Sequence, residues 1–151
     1  MKTSLRERLL SQLIIDLDAP RTVDDAPCWL WTGFHNEYGY GRINIQRRLH
    51  LVHRVTFEIF AGLVPDGLEL DHLCRVRLCA NPAHLEPVTR RINVLRGVSP
   101  VAEHARATHC PRGHPYDLLN TYINPSTGSR GCRICVREAG RRYAARKRRA
   151  T

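Results

Sequence analysis

No apolar run in this 151-residue chain is long enough to cross a bilayer. The best candidate, residues 49–64, is interrupted by His50, His53, Arg54 and Glu58. The N-terminal run, residues 4–16, is charged and helix-periodic, which excludes a secretory h-region. No internal repeat of useful length is visible, so a repeat architecture is excluded. Aromatic residues make up only 7% and form no base-stacking signature, which counts against a dedicated RNA-binding module. Carboxylates are scarce too: 14 Asp and Glu stand against 24 Lys and Arg, a formal net charge of +10. Arginine carries most of that excess, and it pairs bidentately with phosphate, so the balance predicts a polyanionic partner. Hydrophobic residues, at 42%, suffice for a modest core, and small folds of this kind are usually stapled. The chain reads as cytoplasmic, where thiols stay reduced, so its six cysteines read as metal ligands and not as three disulfides.

What is present is concentrated in one stretch, residues 69–85. There Asp71-His72, Cys74, Cys79, Asn81-Pro82 and His84 fall within seventeen residues. Neutral imidazole and thiolate are what a Zn²⁺ site needs, and an Asp-His pair is what a hydrolytic site needs. A second cluster follows at Cys110-x₃-His114 and Cys132-x₂-Cys135, the form of a small treble-clef or ribbon-like zinc site. His109 is a rival to His114, but its adjacency to Cys110 makes joint ligation awkward. The basic segment 133–150 emerges from this cluster and predicts a helix that lies along phosphates.

Around these motifs, residues 3–17 predict an amphipathic helix with Leu5, Leu9, Leu13 and Ile14 on one face. Ala19-Pro20 and Ala26-Pro27 bracket a polar linker. Residues 28–32 are strand-like, and 42–51 read as a hairpin around Gln46-Arg47-Arg48. Residues 52–61 predict a helix burying Val52, Val55, Ile59 and Phe60, with His50 and His53 structural. Strands at 68–73 and 85–88 flank the metal-rich loop, and Thr89 caps a helix at 90–95. Residues 98–108 look like a linker.

Asp71-His72, Asn81-Pro82-x-His84-Leu85 and Asn93 resemble the HNH endonuclease family, and Cys28-Trp-Leu-Trp-Thr-Gly, Gly39-Tyr-Gly-Arg42 and His53-Arg54 are similar to its phage-type subgroup. The Cys74-x₄-Cys79-x₄-His84 spacing is also similar to the His-Cys box homing endonucleases. The resemblance implies an α+β fold: a small ββα-metal nuclease core with two structural zinc sites, an N-terminal helix and a basic C-terminal helix. It implies His72 as general base and Asp71 with Asn93 as ligands of one Mg²⁺ or Mn²⁺. Asn81 would fix the loop and the histidine strand, although a residue before proline serves equally as a turn starter. A simple HNH reading puts His84 on the catalytic metal. The His-Cys box reading puts it on zinc with Cys74 and Cys79, and two nearby thiolates favour the second. Cys28, the one cysteine outside both clusters, then completes the zinc, as an upstream cysteine does in the His-Cys box pattern.

Arg42 and Arg54 are the candidates to clamp the scissile phosphate, and Arg47 and Arg48 at the hairpin tip could enter a groove. Arg137, Arg141, Arg142 and Arg146 would contact DNA from the C-terminal helix. The expected domains are 1–27, an N-terminal helix and linker; 28–97, the nuclease; 98–108, a linker; and 109–151, a zinc module with the basic helix. The whole reads as a Mg²⁺-dependent endonuclease on double-stranded DNA, leaving 5′-phosphate and 3′-hydroxyl ends. It would act in the host cytoplasm if phage-encoded, as a homodimer if both strands are cut. The alternative is a non-enzymatic zinc-dependent DNA-binding protein on the same scaffold.

Overall fold

Ser4 starts the first helix. Its hydroxyl accepts the Glu7 backbone N–H while the Glu7 carboxylate accepts the Ser4 N–H, a reciprocal cap that opens α1, Leu5–Leu10. The computed structural model describes residues 3–18 and 25–150; residues 19–24 of the expected linker lie outside the described residues. The helix expected over 3–17 stops early. Leu13–Asp16 instead forms β1, antiparallel to β2, Cys28–Trp31, with Leu13 opposite Trp31 and Asp16 opposite Cys28. β-branched Ile14-Ile15 facing an aromatic strand favours the pleated surface over another helical turn. The leucine periodicity still finds the core. Leu9 is fully buried, and Leu5 and Leu13 pack on the cluster of Trp31, Ile43, Val52, Val55 and Ala80. Ile14 is 60% exposed and takes no part in it.

The hairpin forms as expected, with β3 at Arg42–Ile45 and β4 at Arg48–Leu51. Gln46 and Arg47 have φ of 49° and 66°, the signature of a two-residue type I′ turn. A Cβ at Gly41 would meet the Trp31 ring at 2.7 Å, so only glycine lets the chain enter β3 across that indole. Helix α2, Val52–Phe60, follows directly and buries Val52, His53, Val55, Thr56 and Phe57. Ile59 and Phe60, expected on its buried face, are 38% and 36% exposed because His53 and Thr56 turn inward instead. The Thr56 hydroxyl donates to the Val52 and His53 carbonyls, so its burial leaves nothing unsatisfied.

Strand β5, Leu68–His72, pairs antiparallel with β6, Leu85–Thr89, and α3, Arg90–Arg96, follows at once. The Thr89 hydroxyl accepts the Ile92 N–H at 3.4 Å, as its capping role predicts. The order strand, loop, strand, helix is the one read from the sequence. Leu68 and Leu70 pack on Phe57, Val64 and Leu85 beneath the hairpin.

The chain divides into two compact units, residues 1–93 and 94–151. In the second, the segment expected as a linker contains helix α4, Pro100–Arg106. Ser99 caps it by accepting the Ala102 N–H, and Pro100 occupies its first turn. A hairpin of β7, Thr121–Ile123, and β8, Arg130–Cys132, leads into α5, Arg133–Arg149, which buries none of its residues. Among the described residues no helix is long and apolar enough to cross a membrane.

Candidate active site and metal clusters

Two turns of chain bring the first metal cluster together. The Cys79 N–H donates to the Val76 carbonyl, and the Asn81 N–H donates to the Cys79 sulfur at 3.4 Å. The Ala80 N–H donates to the Trp29 carbonyl at 2.8 Å, which ties this loop to β2 beside Cys28. Cys28, Cys74, Cys79 and His84 are all buried, with their ligand atoms within 4.8 Å of one another. His84 Nδ1 lies 3.4 Å from the Cys28 sulfur and 3.5 Å from that of Cys79. Tetrahedral zinc, with bonds of about 2.3 Å to sulfur and about 2.0 Å to nitrogen, sets neighbouring donors roughly 3.5–3.8 Å apart. The donor set therefore fits the ion. His84 Nε2 lies 3.0 Å from the Ala26 carbonyl, which can only accept, so Nε2 carries the proton and Nδ1 keeps the lone pair a metal needs. Crowding the thiols has a cost that a cation relieves. Sharing with Cys74 drives the Cys79 thiol up, burial pushes Cys28 up to about 11, and Cys74, held by Cys79, falls to about 5. Three ionised sulfurs coexist there only around positive charge.

The second cluster gathers Cys110, His114, Cys132 and Cys135 within the same limit. His114 Nδ1 is 3.5, 3.7 and 3.3 Å from the sulfurs of Cys110, Cys132 and Cys135, and Cys110 and Cys135 are 3.6 Å apart. Cys132 caps α5 by accepting the Cys135 N–H, and the Asn120 amide also donates to its sulfur. Although burial opposes ionisation, those donors bring the Cys132 thiol down to about 6. His109 turns elsewhere, to the Thr108 hydroxyl. Each cluster could hold one zinc.

Of the catalytic candidates, Asn93 and Arg42 line a cleft of about 370 Å³ in the first unit, together with Tyr40, His53, Arg54 and Glu69, whereas Asp71, His72 and Asn81 lie outside its lining. His72, 7% exposed, sits against its wall: its ring centroid is 4.7 Å from that of His53 and 5.9 Å from that of Tyr40. His72 Nε2 meets the Cys79 carbonyl at 3.1 Å. A carbonyl only accepts, so Nε2 is the protonated nitrogen and Nδ1 holds the lone pair. Burial also lowers the His72 pKa, despite the opposing Cys79 carbonyl, and keeps the ring neutral.

The remaining sequence-derived residues fall in different surroundings. Asn93 lines the cleft and donates Nδ2 to Glu69 Oε2 at 2.8 Å. Asp71 is 2% exposed, with Oδ1 held by Arg75 at 2.6 Å. Asn81 accepts the Ala83 N–H and donates to the Pro27 carbonyl at 2.7 Å, so it is turn starter and loop brace at once. Arg42 and Arg54 line the cleft, and Arg54 is paired with Glu58 at 3.0 Å. Arg47 and Arg48 are exposed at the hairpin turn, and Arg137, Arg141, Arg142 and Arg146 are exposed along α5. Glu69 has no role assigned from the sequence, Tyr40 enters only within the Gly39-Tyr-Gly-Arg42 resemblance, and His53, which adjoins Arg54 in that resemblance, reads as structural. Their place in the cleft comes from packing between elements, which no local pattern announces.

Residues 50–95 match the family model described as HNH endonuclease. That matched segment contains α2, β5, β6, most of α3 and the His72 and Asn93 candidates. Curated relatives are phage proteins. The gene 5.3 protein of Enterobacteria phage T3, itself uncharacterized, is 33% identical over 67 residues, 40% of this chain and 66% of that protein. Protein 7.7 of Escherichia phage T7 is 38% identical over 66 residues, covering 44% and 51%. Protein 2.8 of the same phage is 32% identical over 91 residues, covering 59% and 56%. The chain thus spans 51–66% of the length of the curated relatives it matches. No solved structure matches it.

Proposed function

We propose that the protein is a Mg²⁺- or Mn²⁺-dependent endonuclease that hydrolyses phosphodiester bonds in double-stranded DNA, with His72 as general base. The observation that carries this reading is the protonation pattern of His72: Nε2–H is committed to the Cys79 carbonyl and Nδ1 keeps its lone pair, beside a cleft that holds Asn93 and two arginines. Nδ1 takes a proton from the attacking water, and burial keeps the ring neutral for that task at neutral pH. The oxygens of Asp71 and Asn93 are the hard donors that suit one divalent cation, which when bound stabilises charge developing on the phosphate. Arg75 orients the Asp71 carboxylate. Arg42 and Arg54 clamp phosphate oxygens; the half-exposed pairing of Arg54 with Glu58 is worth little and yields readily. Arg47 and Arg48 on the hairpin, and Arg137, Arg141, Arg142 and Arg146 on α5, neutralise the DNA backbone. Two structural zinc ions brace the scaffold.

Nicking of supercoiled plasmid with Mg²⁺, against an EDTA control, tests the reading. His72→Ala should lose cleavage by at least about 10²-fold while keeping its zinc and its affinity for DNA. Undiminished turnover by that variant would remove His72 from the reaction. A wild-type protein that binds DNA but never cuts it would be a zinc-dependent binder.

A further inference from the structure

The Asn93 amide does not stand alone in the cleft. Its Nδ2 donates to Glu69 Oε2 at 2.8 Å, and both residues line the same cavity. A flipped amide would set its oxygen against the carboxylate with no proton between them, so the chemistry fixes which end faces Glu69. Glu69 lies on β5 two residues before Asp71, hence on the same face of the strand, and Asn93 lies on α3.

We propose that Glu69 is a positioning residue for metal binding: its carboxylate holds Asn93 by the amide nitrogen, so that Oδ1 remains the end available to a hard divalent cation. The inference rests on the nuclease reading above and deepens its metal site. Three physical effects act together. The bond removes the rotational freedom that an isolated asparagine would lose on ligation. A carboxylate on the N–H polarises the amide and makes its oxygen a better donor, as outer-shell partners of metal ligands do. The negative charge also offsets Arg42 and Arg54, which share the cleft and otherwise repel a cation. A bland strut between α3 and the sheet would have the same bond but no influence on metal affinity, and that difference is measurable.

The test uses the full zinc-loaded chain and measures Mn²⁺ binding without DNA, by loss of the free-ion electron paramagnetic resonance signal, alongside Mg²⁺ titrations of plasmid cleavage. Glu69→Ala should bind Mn²⁺ roughly 10- to 100-fold more weakly and need correspondingly more Mg²⁺. Glu69→Gln, whose amide oxygen still accepts the bond, should recover part of that loss. Zinc content of both variants reports that they are folded. If Glu69→Ala binds Mn²⁺ like wild type and only its thermal stability falls, Glu69 is a strut and the inference is overturned. Equal losses in Glu69→Ala and Glu69→Gln would also overturn it, because the bond would then contribute nothing. A wild-type protein that neither binds Mn²⁺ nor cuts DNA would instead sink the nuclease reading beneath it.

Discussion

One acceptor, the Cys79 carbonyl, decides which nitrogen of His72 is basic, and another, the Glu69 carboxylate, decides which end of the Asn93 amide is left free. Asn93→Ala should therefore leave DNA affinity in EDTA intact while raising the Mg²⁺ concentration for half-maximal cleavage at least about 10-fold, read from metal titrations. His53 makes a prediction about pH. Burial, then the neighbouring His72, Arg54 and Arg42, lower its pKa from 6.5 to about 3, and its Nδ1 is buried without a hydrogen-bond partner. Above pH 6.5 the ring is neutral in both folded and unfolded chains. Below that value only the unfolded chain takes up the proton, so stability falls as the pH falls towards the folded value. Between pH 7 and pH 5 the wild type should lose about 2 kcal/mol more than His53→Leu in denaturant titrations. At this scale the sequence was half legible. The Asp71-His72 pair marks His72 as a candidate and the offset from it marks Asn93, whereas Glu69, His53 and Tyr40 gain their place from contacts between segments tens of residues apart.

At the scale of elements, spacing was a better guide than composition. The hairpin 42–51, the β5–β6–α3 order and seven of the eight metal donors follow from local rules of turn chemistry and ligand separation; Cys28, far from the rest in sequence, comes from the His-Cys box resemblance. The rules failed where two signals competed. Ser4 and Glu7 start a helix that Ile14-Ile15 then abandon for pairing with Cys28–Trp31, a partner invisible to any helical window. Helix α4 had its start signal in Ser99-Pro100, but small and charged residues around it resembled a linker. The loop between β5 and β6 is braced by Asn81, which bonds both the Ala83 N–H and the Pro27 carbonyl. Asn81→Ala should cost about 1–3 kcal/mol of stability in denaturant titrations, because the part-buried Pro27 carbonyl and the Ala83 N–H lose their partner together. Cys28→Ser should lower bound zinc from about two ions per chain to about one, by metal analysis, since the second cluster supplies its own four donors.

For the molecule as a whole, the excess of 24 basic over 14 acidic residues is the strongest global signal. If α5 contributes to DNA affinity through its exposed arginines, replacing Arg137, Arg141, Arg142 and Arg146 by glutamine should flatten the salt dependence. The slope of log K against log salt should fall by up to about 3–4, measured by fluorescence anisotropy between about 50 and 200 mM salt. Cleavage chemistry at saturating DNA and low salt should survive, because none of these side chains lines the cleft that holds Asn93. Cys79 carries a different kind of consequence. Its sulfur belongs to a metal cluster while its carbonyl holds the imidazole. A zinc ion held there would thus reach the proposed general base through one residue's backbone. Gentle chelation should silence the protein while circular dichroism still reports most of its secondary structure, making zinc supply a switch on activity and not only a condition for folding.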